Sequence, residues 1–274
     1  MIIKNKVIKL LVTDVDGTLL DSNSSLPVLN KKAILACKNS GIEVILATGK
    51  SIDSITHIIN LLDLKLPQIT FNGAVIVNSE RKIIRSVKIR PDLYFEVIQT
   101  IKEKGYEPLI SIENGKIFYE SYHPNMENIV RVGEKLLKVD NLETPHFSRN
   151  CVSISVPIKE TDPLDRFLRD RFSGRLQILR SGEYFFDILS LDAGKGNALL
   201  YLARILGVRK EEIVVFGDSY NDLSMFREAG LRIAVKNSYP GVLKEADIIT
   251  EENYNCGLAK AIFRYVLDSE PVKP

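Results

Sequence analysis

The sequence predicts an α/β protein, a parallel-sheet core interrupted by an inserted α+β unit. Three observations carry this expectation. Short, apolar, β-branched runs alternate with helical stretches over residues 7–78, the signature of βαβ units and a parallel sheet. The rhythm then changes to closely spaced strand candidates with hairpin punctuation. From about residue 190 the first rhythm returns, which splits one core in two. The expected division is a core of residues 1–83 and 190–274 and an insert of residues 84–189.

Each element follows from its local pattern. "VIKLLVT" (7–13) reads as a strand buried on both faces. Residues 28–40 form a helix that Gly41 stops. "IEVILAT" (42–48) is a second buried strand. Ser51 is placed to cap the amphipathic helix "IDSITHIINLL", and "PQITF" (67–71) begins a third strand. After Asn78 the strand candidates are "KIIRSVKI", "EPLISI", "KIFYES", "CVSISVPI", "RLQILRS" and "EYFFDIL". Helical stretches near 125–137 and 162–172 interrupt them, and "ENGK" and "RSGEY" mark hairpin turns. The returning core reads as the helix "GNALLYLARILGV", the strand "EIVVFGD", the helix "SYNDLSMFREAG" and the strand "LRIAVK".

Composition narrows the function classes. At 274 residues the chain is comfortable for two domains. A net charge of +2 argues against nucleic acid or an anionic membrane as main partner. The opening "MIIKNKVIKLLV" has too short an apolar run for a signal peptide and leads straight into aspartates. No stretch approaches the roughly 18 apolar residues of a membrane span. Cys37, Cys151 and Cys256 are far apart and show no metal spacing, so buried thiols in a cytoplasmic protein are expected. The three histidines, at 57, 123 and 146, are scattered and receive no role.

The chemistry concentrates at strand ends. In "VTDVDGTLLD" two aspartates follow an apolar run, and residues two apart on a strand share a face. Asp14 and Asp16 can both project beyond the carboxyl edge of the sheet, where open α/β sheets place ligands. Their repulsion calls for a cation, and hard oxygen ligands suit Mg²⁺. Gly17 allows a tight turn, which Thr18 is expected to hold by a local hydrogen bond. "ILATGKS" ends a strand at Thr48 and Gly49 before a helix start, a natural anion site. "VVFGDSYND" brings Asp218, then Asn221 and Asp222. Lys195 stands where the insert returns to the core, placed to neutralise a bound phosphate. Asn72 either lines the substrate end of the site or holds a turn.

The residues "DVDGT", "ATG", "GKG" and "GDSYND", in this order, resemble the four motifs of the haloacid dehalogenase superfamily of phosphatases. "FNGA" (71–74), the insert between the second and third motifs and the tail "EENYNCGLAKAI" resemble its Cof-type branch with a class IIB cap. The resemblance covers essentially the whole chain. It implies a Rossmann-like core, an aspartyl-phosphate intermediate and a small phosphorylated metabolite as substrate, with sugar phosphates as the usual class. Asp14 would be the nucleophile and Asp16 the general acid and base. Mg²⁺ would be held by Asp14, the backbone carbonyl of Asp16, and Asp218, with Asp222 supporting from behind. The phosphoryl group would meet Thr48, Gly49, Lys195, Asn221 and the backbone N–H of Val15. Two departures stand out: Lys50 replaces the arginine that usually continues the second motif, and Phe71 stands where an acidic residue is common.

Two competing functions share these residues. A phosphomutase of the same superfamily would return the phosphate to the sugar instead of releasing it to water. A phospho-accepting signalling module also combines aspartates, a hydroxyl and a lysine, yet lacks the "DxDGT" pair and needs no cap. A monomer or a small homo-oligomer is expected.

Overall fold

The computed structural model describes residues 7–131, 133–159, 161–180 and 186–269. Most of the expected "RSGEY" turn and the start of the strand candidate "EYFFDIL" lie outside the described residues. The chain forms two compact units. The first comprises Met1–Thr48, Thr56–Ile69 and Lys195–Pro274, and the second Gly49–Ile55 and Thr70–Gly194.

The first unit is built on a five-stranded sheet. Its strands, in spatial order, are Ile248–Ile249, Leu231–Ala234, Ile213–Gly217, Leu10–Thr13 and Glu43–Leu46, all parallel. The first strand in sequence is therefore interior, with later strands added on both sides. Leu10 to Thr13 are all buried, as a strand covered on both faces must be. Its register sets Thr13 opposite Leu46 on one side and Phe216 on the other. Helices Val28–Asn39 and Lys195–Leu206 bury apolar faces through Ala33, Ile34 and Cys37, and through Ala198, Leu199 and Leu202. Because the strand order extends from Leu10–Thr13 toward both edges of the sheet, its carboxyl end is a topological switch point, where such sheets open a crevice.

The second unit contains a six-stranded sheet in the order Leu176–Arg180, Phe186–Ser190, Cys151–Val156, Leu109–Ile112, Ile117–Tyr119, Leu136–Lys138. Neighbours are antiparallel except the last pair, which is parallel. A separate antiparallel pairing joins Val75–Val77 to Ile83–Ser86. The expected "ENGK" turn is present: Ile112 N–H bonds Lys116 O at 3.0 Å between paired strands.

Two local expectations are corrected here. The helix expected over 125–137 is a 3₁₀ turn, Pro124–Met126, and a short helix, Glu127–Arg131. Gly133, at φ +92°, is followed by the strand Leu136–Lys138 instead. A positive φ breaks helical geometry, and glycine adopts it at little cost. Conversely, the longest helix among the described residues of this unit, Pro91–Glu103, falls inside a stretch read as strands and loops. Leu93, Tyr94, Val97, Ile98 and Ile101 recur at helical spacing and are buried in one cluster with Ile110, Ile154 and Phe186 from the sheet. Proline at its start sets φ without losing a needed donor.

Candidate active site

The site of the first unit grows from the ends of its central strands. Asp14 follows the strand Leu10–Thr13, and its N–H bonds Phe216 O at 3.0 Å, so the sheet ladder itself fixes the backbone of this residue. Gly17 then takes φ +79°, and a Cβ there would stand 2.7 Å from Asp218 Oδ2. Glycine is required both for the turn and for the approach of the Asp218 carboxylate. Thr18 does not hold the turn locally. Its Oγ1 donates to Asp218 Oδ1 at 2.7 Å, across 200 positions of sequence. The positive φ of Gly17 redirects the chain toward the end of the neighbouring strand Ile213–Gly217, which carries Asp218.

Lys195 lies at the centre. Its ammonium, with the side chain 0% exposed, donates to Asp14 Oδ1 at 2.5 Å and to Asp222 Oδ1 at 2.6 Å. The other oxygen of Asp222 accepts from the N–H groups of Asp218 and Ser219 at 2.9 and 3.0 Å. Asp222 can close under this backbone because Gly217 has no Cβ; one there would lie 2.7 Å from Asp222 Cβ. Both oxygens of Asp222 are therefore engaged in bracing the site.

Charge crowding follows directly. Burial first, offset in part by Lys195 and reinforced by Asp222, Asp218 and Asp16, holds the Asp14 carboxyl well above the usual range. Burial and then Asp222 push Asp218 up to about 7, against the hydrogen bond from Thr18. Burial pulls the Lys195 ammonium down, yet Asp14 and Asp222 outweigh it and the group ends higher than an ordinary lysine. One ammonium is thus paired with Asp14 and Asp222 and also acts on Asp218.

Carboxylate oxygens of Asp14, Asp218 and Asp222 lie within 4.8 Å of one another. This set of hard oxygen donors, two of them held above their ordinary range by crowding, fits a divalent cation, which would relieve that repulsion. The fit is better for Asp14 and Asp218 than for Asp222, whose oxygens are committed to Lys195 and to backbone N–H groups.

The remaining expected residues are placed as follows. Val15 is fully buried and Asp16 half-buried, in the turn that follows Asp14. Thr48 is buried, and its N–H is committed to Ile69 O at 2.9 Å. Asn221 sits in the 3₁₀ turn Tyr220–Asp222, where its carbonyl accepts from Ser224 Oγ at 3.2 Å. Gly49 and Asn72 belong to the second unit and adjoin each other: a Cβ on Gly49 would be 3.2 Å from Asn72 Oδ1. Asn72 holds a turn, at φ +52° between Phe71 and Gly73, and its Nδ2 donates to Asp187 Oδ2 at 2.8 Å. Asp187 also accepts from Ser155 Oγ on the paired strand. Sequence reasoning missed the Lys195–Asp222 pair, the Asp187–Ser155 support and a contact of Glu134 with Ser51. No local signal announces such pairs, which join residues 27 to 83 positions apart.

A parallel α/β core with a lysine-braced carboxylate cluster at its carboxyl edge is the frame of a hydrolase suited to a divalent cation. A model of the haloacid dehalogenase-like hydrolase family matches residues 11–262, and the chain belongs to that family. It is 27% identical to 5-amino-6-(5-phospho-D-ribitylamino)uracil phosphatase YcsE of Bacillus subtilis, covering 95% of this chain and 96% of that one. It is 26% identical to phosphatase YwpJ of the same organism, covering 92% and 97%. Among solved structures, BT1666 from Bacteroides thetaiotaomicron, described among phosphatases of the haloalkanoate superfamily, superposes with a TM-score of 0.83. It is 27% identical, with 97% of this chain and 98% of that chain covered. The chain is accordingly an enzyme, a hydrolase of the phosphatase type. No described helix is long and apolar enough to cross a membrane.

Proposed function

We propose that this chain is a cytoplasmic, Mg²⁺-dependent phosphatase that hydrolyses a small phosphorylated metabolite through an aspartyl-phosphate. The observation that carries the reading is the pair formed by Asp14 and Lys195 beside Asp218, at the switch point of the sheet. The Lys195 ammonium and a divalent cation would both draw Asp14 toward its ionised form against the burial that raises it, and an ionised carboxylate needs no base to make it a nucleophile. Asp14, the carbonyl of Asp16, and Asp218 would hold Mg²⁺, whose chemistry there is neutralisation of the charge on the transferring phosphoryl group.

The protein groups then divide the work. An Asp14 oxygen forms a bond to phosphorus as the bond from phosphorus to the leaving oxygen breaks, and Asp16 gives that oxygen its proton. Asp16, now a carboxylate, takes a proton from water, whose oxygen bonds to phosphorus while the Asp14–phosphorus bond breaks. Inorganic phosphate leaves and both aspartates return to their first state. Val15 N–H, Thr48, Gly49, Lys195 and Asn221 position the phosphoryl oxygens, since phosphoryl transfer depends mostly on placement and charge stabilisation. The segment 84–189 serves as the cap that selects substrate.

The name of YcsE specifies a phosphorylated ribityl compound for that protein. Sugar phosphates and related phosphomonoesters are the class proposed for this one. The test is a panel of phosphorylated metabolites scored for phosphate release, with Mg²⁺ and with EDTA. Release that needs Mg²⁺ and vanishes in Asp14→Asn is expected. Release indifferent to chelation would remove the metal assignment, and transfer of the phosphate back to a sugar hydroxyl would favour a mutase.

A further inference from the structure

The three residues after Thr48 are all held by side chains or backbone of the second unit. Gly49 packs its Cα against the amide of Asn72, which Asp187 pins in place. Lys50 O accepts from Phe71 N–H at 3.1 Å. Ser51 is gripped most firmly: its N–H donates to Glu134 Oε1 at 2.7 Å and its Oγ to Glu134 Oε2 at 2.6 Å. Ser51 immediately precedes the ten-residue helix Ile52–Leu61. Glu134 is a carboxylate only 7% exposed, and a buried acid that spends both oxygens on one residue is unusual. Its own backbone is anchored, with its N–H on Ile129 O at 3.3 Å, while Ile129 and Leu136 pack on the buried cluster of Leu109, Ile117 and Met126.

We propose that Glu134 is a positioning residue for phosphate binding: by holding Ser51 it fixes the short segment Gly49–Ser51, so that the backbone at Gly49 keeps the geometry the phosphoryl group requires. The inference rests on the phosphatase reading above and deepens it. The sequence Thr48-Gly49-Lys50-Ser51 is short and contains a glycine, so it would otherwise sample many conformations. A carboxylate bonded to an N–H and a hydroxyl makes two charge-assisted hydrogen bonds, stronger than neutral ones. Glu134 also brings a negative charge to a helix start, where it would compete electrostatically with a bound phosphate. Positioning and competition predict opposite signs, which makes the idea testable.

The experiment measures kcat and KM for p-nitrophenyl phosphate, and inhibition by inorganic phosphate, in wild type, E134A, E134Q and S51A, with Mg²⁺ present. In E134A, KM and the phosphate inhibition constant should rise about tenfold, the loss of roughly one charged hydrogen bond, with kcat within about threefold. E134Q keeps an acceptor for Ser51 N–H, and the Ser51 hydroxyl can turn to accept from the new amide. It should return both constants to within about threefold of wild type. S51A, which loses the hydroxyl bond to Glu134 and a contact with Ser54 Oγ at 3.4 Å but keeps the N–H bond, should fall between; should E134A not fold, E134Q and S51A carry the comparison. Unchanged or tighter phosphate binding in E134A, or in S51A where E134A is lost, would overturn the inference while leaving the phosphatase reading intact. A wild type that neither turns over the ester nor binds phosphate would overturn both.

Discussion

Replacing Lys195 by methionine tests the electrostatic centre of this molecule. The substitution keeps an unbranched chain of similar length and removes the ammonium. Lys195 and Asp222 side chains are each 0% exposed and Asp14 is 8% exposed, so neither carboxylate can turn to solvent for compensation. Asp14 and Asp222 would then share a buried site with no cation between them, so one of them must take up a proton or remain an unpaired buried charge. Breaking a buried pair by removing one partner costs about 3–5 kcal/mol. K195M should therefore lower the urea midpoint strongly in EDTA at neutral pH. Adding Mg²⁺ should recover part of the loss, because a ligand that binds only the native state stabilises it. The decisive comparison is a double-mutant cycle with Asp222→Asn. In the wild-type background D222N removes a partner of Lys195 and destabilises. In the K195M background it removes a surplus buried charge, and an Asn carbonyl can still accept from the N–H groups of Asp218 and Ser219. D222N should therefore be neutral or stabilising there, a coupling of about 2 kcal/mol or more. A K195M cost below about 1 kcal/mol, or equal D222N effects in both backgrounds, would refute the reasoning.

Other outcomes follow from the same geometry. Asp218 is raised by burial and Asp222 to about 7, above its unfolded value near 4, so its contribution to stability is full below about pH 4 and lost as pH rises through about 7. In EDTA the melting temperature should therefore fall over that interval, and saturating Mg²⁺, which competes with the proton, should flatten the fall. Gly17→Ala combines φ +79° with a Cβ 2.7 Å from Asp218 Oδ2, so it should cost about 1–3 kcal/mol and weaken Mg²⁺ binding measured calorimetrically. Asp16→Asn should keep phosphate inhibition near wild type while kcat falls by about 10²–10⁴, read by steady-state kinetics.

Legibility differed from element to element. Asp14, Thr48 and Asp218 could be found because each lies at the end of a buried strand, and a run of apolar residues ended by a polar one is a local signal. The helix Pro91–Glu103 was also written locally, through Leu93, Val97 and Ile101, but strand-rich neighbours masked its period. The strand Leu136–Lys138 was not legible, since its place beside Ile117–Tyr119 depends on a partner rather than on its own residues. The same holds for Thr18, whose hydroxyl found Asp218 instead of its own turn.

The amino-acid sequence alone determined the α/β class, the order of the acidic motifs and the demand for a counter-charge, because hydrophobic period and like-charge repulsion act over a few residues. Tertiary structure alone decided which partner each acid meets: the Lys195 ammonium for Asp14 and Asp222, the Thr18 hydroxyl for Asp218, and the Ser51 hydroxyl and N–H for Glu134. Sheet register and burial make those choices, since they bring distant segments within hydrogen-bond reach and remove the water that would otherwise screen them.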